Sequence, residues 1–222
     1  MEPQSIWSAG DTRADSQHES PYESPEARRD ALRLGLWVFL GSETLLFAGL
    51  FGLYAAYRSM YADSFARASR LNEQWIGSVN TFVLIVSSFF AAWAVHAARA
   101  RRAAQTRWAL AGVIALGVTF LGFKALEYGH HLTTGIAPGV YYAHAALPEH
   151  GAHVFFTLYY FMTGLHALHV IAGLVVMAWL FLRVRGAAPL AERDIEIELG
   201  ALYWHLVDIV WIFLWPLLYL IA

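Results

Sequence analysis

Five ionisable side chains stand inside stretches of sequence that are otherwise apolar: Glu43, His166, His169, His205 and Asp208. A carboxyl or an imidazole can hold or pass a proton, and ionisable groups at mid-membrane depth commonly mark proton or ion paths. The same groups also serve as hydrogen-bond partners that fix helix packing in a membrane bundle. Residue type alone leaves both uses open. Asn80, His96, Lys124 and Glu127 form a second set of polar residues in similar surroundings. His166 and His169 are spaced by about one helical turn and so share a face, and His205 and Asp208 have the same spacing. Haem ligation by two imidazoles, His166 or His169 with His205 or His96, is a further use of such residues.

The elements that must position these groups are legible from composition. The chain has 222 residues, 58% hydrophobic and only 14% charged. About 20 apolar residues suffice to cross a bilayer as a helix, because every backbone donor and acceptor is then satisfied within the segment. Five blocks qualify: residues 34–57, 75–98, 108–128, 154–182 and 199–221. The expected fold is an all-α membrane protein, a bundle of five transmembrane helices within residues 32–222. Residues 1–31, rich in Ser, Glu, Asp, Pro and Arg, read as a disordered polar cytoplasmic tail. No internal repeat is visible.

Glu43 and Asp208 each lie about nine residues, or about 14 Å, into helices that run the same way. Equal depth predicts that Glu43 shares a hydrogen-bond network with His205 or Asp208. Gly41, Ala48, Gly49 and Gly52 in the first span, and Gly112, Gly117 and Gly122 in the third, are expected to allow close approach of backbones. Pro216 is expected to kink the last span, since it lacks a backbone donor.

Basic residues set the orientation. Arg13, Arg28, Arg29 and Arg33, then Arg99, Arg101, Arg102 and Arg107, then Arg183, Arg185 and Arg193 fall on one side. Only Arg58, Arg67 and Arg70 fall on the other. The richer side is cytoplasmic by the positive-inside rule, with the N-terminus inside and the C-terminus outside. Trp37, Trp93, Trp108, Trp179 and Trp204 then mark the inner interface, and Tyr57, Trp75, Tyr128 and Tyr219 the outer one.

Several chemistries are excluded. The chain has no cysteine, hence no disulfide, thiolate-bound cluster or cysteine nucleophile. It has neither a G-x-S-x-G elbow nor a glycine-rich phosphate loop. A net charge of −2 gives no basis for nucleic-acid binding. His144 and His150 lie in the loop before the fourth span, with His130, His131 and His153 nearby, but no pair has a ligand spacing fixed by a helix face, so no metal site is assigned.

Five stretches, in order, carry a resemblance. GLWVFLGSETLLFAGLF, VNTFVLIVSSFFAAWAVHAA, FKALEYGHH, FMTGLHALHVIAG and ELGALYWHLVDIVWIFLWPLLYL together resemble subunit III of the haem–copper respiratory oxidases. The resemblance covers residues 34–220. It places Glu43 on that family's carbodiimide-reactive glutamate, and Lys124 where many members have Gln or Glu. Longer members have seven helices, and the first two have no counterpart here. The resemblance implies a non-catalytic accessory subunit of a cytochrome c or quinol oxidase in a bacterial plasma (inner) membrane. It implies no cofactor in this chain, with haem and copper in partner subunits. The implied partners are subunit I, in direct contact, other oxidase subunits and bound phospholipid, with a supporting role in proton uptake and sustained turnover. An accessory protein of nitric oxide reductase shares the fold. A free-standing proton-coupled transporter and a haem-anchoring membrane protein are the other readings of the residues.

Overall fold

A computed structural model describes residues 25–145, 147–185 and 193–220. Those residues form α1 (Pro25–Met60), α2 (Ala62–Ser69), α3 (Gln74–Arg99), α4 (Ala103–Thr133), a short 3-10 turn (Gly139–Tyr141), α5 (His150–Arg185) and α6 (Asp194–Tyr219), with no strand. All the α-helices except α2 are long and apolar enough to cross a membrane.

The helices overrun the apolar blocks by polar turns. α1 begins at Pro25, inside the segment expected to be a solvated tail. Proline at a first helical turn, followed by Glu26, is a favourable helix start, and the residues after it are mostly strong helix formers. Residues 1–24 of that expected tail lie outside the described residues. By internal packing the chain divides into residues 1–38 and 39–222. The first unit contributes the opening turns of α1. The second holds the remainder of α1 and everything after it.

Within the second unit, α3 packs on α4, α4 on α5, α5 on α6 and α6 on α3, closing a ring of four helices. Trp204 of α6 fills its interior. The indole is fully buried. A Cβ at Gly117 of α4 would lie 2.8 Å from its ring, and one at Gly173 of α5 also 2.8 Å away, so both glycines admit the ring. Its N–H donates to Ser87 Oγ of α3 at 3.1 Å. Trp204 is thus a core residue rather than an interface anchor. Trp108 at 75% exposed and Trp179 at 46% do face outward. Gly112 similarly admits Phe90. Gly41, Gly49, Gly52 and Gly122 meet nothing within 4 Å, so the close approach expected of them is absent among the described residues.

α1 from Phe39 onward adds to the ring through side chains. Phe39 stacks on Tyr203 of α6 and Phe47 meets His169 of α5 edge-on. α2, which the apolar pattern gave no reason to expect, buries Phe65 against Tyr54 of α1 and Phe155 of α5. The last carbonyls of α6 would be orphans, as at any helix end. Tyr54 donates to the Leu217 carbonyl at 2.6 Å, Asn72 to that of Leu218 at 2.9 Å and Gln74 to that of Tyr219 at 3.0 Å. Pro216 lies within α6, which continues past it to Tyr219.

Two helix ends use the same closing geometry with different residues. After α4, Gly135 has φ +80°, and the Ile136 and Gly135 amides bond back to His131 and Leu132. After α3, Arg101 has φ 58°, and the Arg102 and Arg101 amides bond to Ala97 and Ala98. This is the Schellman closure, in which glycine normally takes the left-handed position. A side chain there costs about 1 kcal/mol or more. Arg101→Gly is therefore expected to raise thermal stability by about 1 kcal/mol. Heat unfolding of the purified protein in detergent measures it, and an unchanged or lower midpoint would contradict the strain.

Candidate functional site

The polar residues singled out from the sequence separate into distinct places. Glu43 of α1 meets α5, not α6. Its Oε2 lies 2.8 Å from His169 Nε2, with both side chains largely buried. The other ring nitrogen of His169, Nδ1, lies 2.8 Å from the Leu165 carbonyl. A carbonyl only accepts, so Nδ1 carries a hydrogen and donates it. One proton is then left to bridge Nε2 and the carboxyl. The pair is either acid plus neutral imidazole or carboxylate plus imidazolium, and transfer between them moves no heavy atom. Among the described residues the expected network from Glu43 to His205 or Asp208 is not formed. Residue count fixes depth along a helix axis, but the direction a side chain takes around the axis turns by about 100° per residue.

His166 and His169 also part company. Their spacing leaves about 60° between them around α5. His169 turns to Glu43, whereas His166 is fully buried between Phe120 of α4, at 5.6 Å, and Trp211 of α6, at 5.2 Å. Neither ring nitrogen of His166 has a hydrogen-bond partner among the described residues, nor does the side chain of Asn80. His205 Nδ1 pairs with Ser88 Oγ of α3 at 2.7 Å. Asp208, one turn on, is 4% exposed and neither carboxyl oxygen has a partner among the described residues. His96 is exposed on the flank of α3.

The most connected polar group is one the sequence placed in the second rank. Lys124 Nζ of α4 lies 2.9 Å from Glu127 Oε2, 2.9 Å from Tyr159 Oη of α5 and 3.0 Å from Tyr219 Oη of α6. Both hydroxyls donate to Glu127 Oε1, Tyr159 at 2.8 Å and Tyr219 at 2.6 Å. The Lys124 ammonium also sits 4.8–5.7 Å from the ring centres of Tyr128, Tyr159, Trp211 and Tyr219. Lys124 and Glu127 are 3% and 2% exposed. Three ring helices meet here, and donors and acceptors are matched. Tyr219, expected at the outer interface, is instead part of this core. The lysine–glutamate pair was visible in the sequence as an i, i+3 pair within one apolar helix. The two tyrosines come from other helices and carried no local signal.

The loop histidines are used locally. His144 Nδ1 donates to the Thr134 carbonyl at 2.9 Å, and His153 bonds the Gly139 carbonyl. Among the described residues no group of three or more His, Asp or Glu side chains is placed to hold a metal ion.

Residues 13–222 match the family model described as cytochrome c oxidase subunit III. The chain belongs to that family. It is 32% identical over 215 residues to cytochrome c oxidase subunit 3 of Thermostichus vulcanus, covering 94% of this chain and 92% of that one. It is 30% identical over 210 residues to quinol oxidase subunit 3 of Bacillus spizizenii, covering 90% and 91%. Against cytochrome c oxidase subunit 3 of Hippopotamus amphibius it is 33% identical over 196 residues, covering 85% of this chain and 69% of the longer relative. As a subunit III it is an accessory subunit of a haem–copper oxidase, a multi-pass membrane protein that works beside other oxidase subunits.

Proposed function

We propose that this chain is the five-span subunit III of a terminal oxidase in a bacterial plasma membrane, with its N-terminus in the cytoplasm. In this reading it packs directly on subunit I, holds phospholipid against its apolar faces and supports proton uptake and lasting turnover. Haem and copper reside in the partner subunits. The match of residues 13–222 to the subunit III family carries the reading. The arginine asymmetry supports the orientation. The exposed apolar surface supports the packing and lipid roles, since Leu45, Phe82, Phe89 and Leu126 are each at least 67% exposed. In a bilayer such a surface is met by lipid or by another helix.

Among the described residues the Glu43–His169 pair is the best-placed proton-handling group. It joins α1 to α5 at mid-membrane depth, and one proton bridges an acid and a base. His205 and His166 hold separate positions, at the α3–α6 and α4–α6 contacts, and serve packing.

Affinity purification of the tagged chain from its host's membranes tests the assignment. A co-purifying complex with haem absorbance is expected, and recovery of the chain without haem would overturn it. Glu43→Gln keeps the shape of the contact to His169 and removes the exchangeable acid. The variant complex is expected to assemble with normal haem content and a normal initial rate, and to lose activity sooner over prolonged turnover. Undiminished turnover would remove Glu43 from the functional role.

A further inference from the structure

Asp208 presents a carboxyl whose acceptor sites the protein leaves largely unanswered. Its carboxyl lines a groove of about 390 Å³ between α3 and α6, together with Thr81, Ser88 and His205. The groove continues along α3 into a second hollow of about 440 Å³ lined by Phe89, Ala92, Trp93 and His96. On α3, Thr81, Ile85, Ser88, Ala92 and His96 follow at helical spacing, so the floor is one face of that helix, about 22 Å long. The walls are apolar and open to the surroundings: Ile85, Phe89, Ile209 and Ile212 are 46–67% exposed. Asp208 itself is only 4% exposed, yet neither oxygen has a partner among the described residues. The Ser88 hydroxyl, 2.7 Å from His205 Nδ1, also acts on Asp208, and one shared hydroxyl leaves most of the carboxyl's acceptor sites open.

A buried carboxyl short of donors costs free energy that a bound donor would recover. Depth decides what can bring one. Asp208 lies about 16 Å along the axis from the nearer end of α6, close to the middle of a hydrocarbon core about 30 Å thick. A lipid headgroup does not reach there, and an acyl chain has no donor. A transmembrane helix carries side-chain donors at that depth, and the small residue Ala92 in the floor lets one approach closely. We propose that the α3–α6 groove seats a transmembrane helix of another subunit, which donates a hydrogen bond to Asp208. The inference rests on the reading of the chain as an oxidase subunit and assigns the face it uses.

Photo-crosslinking in intact membranes tests it. Benzoylphenylalanine replaces Phe89 in the tagged chain, the membranes are illuminated, and the complex is purified and analysed by mass spectrometry. The expected product is an adduct with another polypeptide of the haem-containing complex. Its yield should fall several-fold when Asp208→Leu is added and persist with Asp208→Asn, whose carbonyl still accepts. Adducts with lipid alone, with a second copy of this chain, or with nothing, while haem still co-purifies, would overturn the groove assignment and leave the oxidase reading standing. Loss of haem from the purified native chain would overturn both.

Discussion

Replacing Lys124 by Met is expected to destabilise the protein by about 3–5 kcal/mol, the cost of breaking a buried ion pair from one side. The magnitude follows from what stays behind. Glu127 is 2% exposed, and Lys124 lies 2.9 Å from one of its oxygens. Without the ammonium, a carboxylate would stand in the core with only the Tyr159 and Tyr219 hydroxyls for support. Removing the charge on both sides is a different perturbation, because no uncompensated ion remains. Glu127→Gln added to Lys124→Met keeps an acceptor for both hydroxyls and should recover most of the loss. The pair of variants separates an ion-pair cost from a packing cost, since Met fills the space of the lysine stem in both. Thermal unfolding of the purified complex measures the difference. If Lys124→Met alone costs less than about 1 kcal/mol, or if the double variant is no better than the single one, the cluster is not the electrostatic centre of the bundle.

The spans were legible in the sequence because the bilayer makes its own demand. A chain that crosses hydrocarbon must satisfy its backbone internally over about 20 residues, and an apolar block of that length has few other uses. The ends were less legible. Pro25 and the turns after it are polar, and a polar helix running on into water leaves the same composition as a loop. α2 was missed for a related reason, being one short helix of mixed character that is stable only because Phe65 finds Tyr54 and Phe155. Partners across helices were not legible at all. Glu43 and Asp208 agree in depth, yet Glu43 turns to His169 and Asp208 to the α3–α6 groove. Which helices are neighbours fixes that outcome, and the order of spans along a chain does not state it. Trp204 and Trp108 look alike in the sequence, each near the start of an apolar block. One is fully buried and the other 75% exposed, because two glycines on two other helices make room for the first.

That glycine cradle sets the second large effect. Trp204→Ala is expected to cost about 3–5 kcal/mol, the range for emptying a buried aromatic site that relaxes only in part. The opposite perturbation tests the same contact. Gly117→Ala and Gly173→Ala each bring a Cβ to 2.8 Å from the indole, inside van der Waals contact. The ring cannot move away freely, because it is held between both glycines and its N–H is fixed on Ser87. Each substitution should therefore cost about 1–3 kcal/mol in the native protein, the usual penalty of overpacking. The decisive measurement is the coupling. In a Trp204→Leu background the rigid ring is gone, and Gly173→Ala should become nearly neutral, giving an interaction energy of about 1–2 kcal/mol. Gly41→Ala, whose Cβ meets nothing within 4 Å, serves as the control and should change stability little in either background. Additive costs at Gly173 and Trp204 would mean that the glycine is needed by its own backbone and not by the ring. A cost at Gly41 equal to that at Gly173 would mean that glycine content, and not the cradle, governs stability here. Coupling confined to the cradle positions would tie the cohesion of α4, α5 and α6 to one indole, and with it the rigidity of the helix that carries His205 and Asp208.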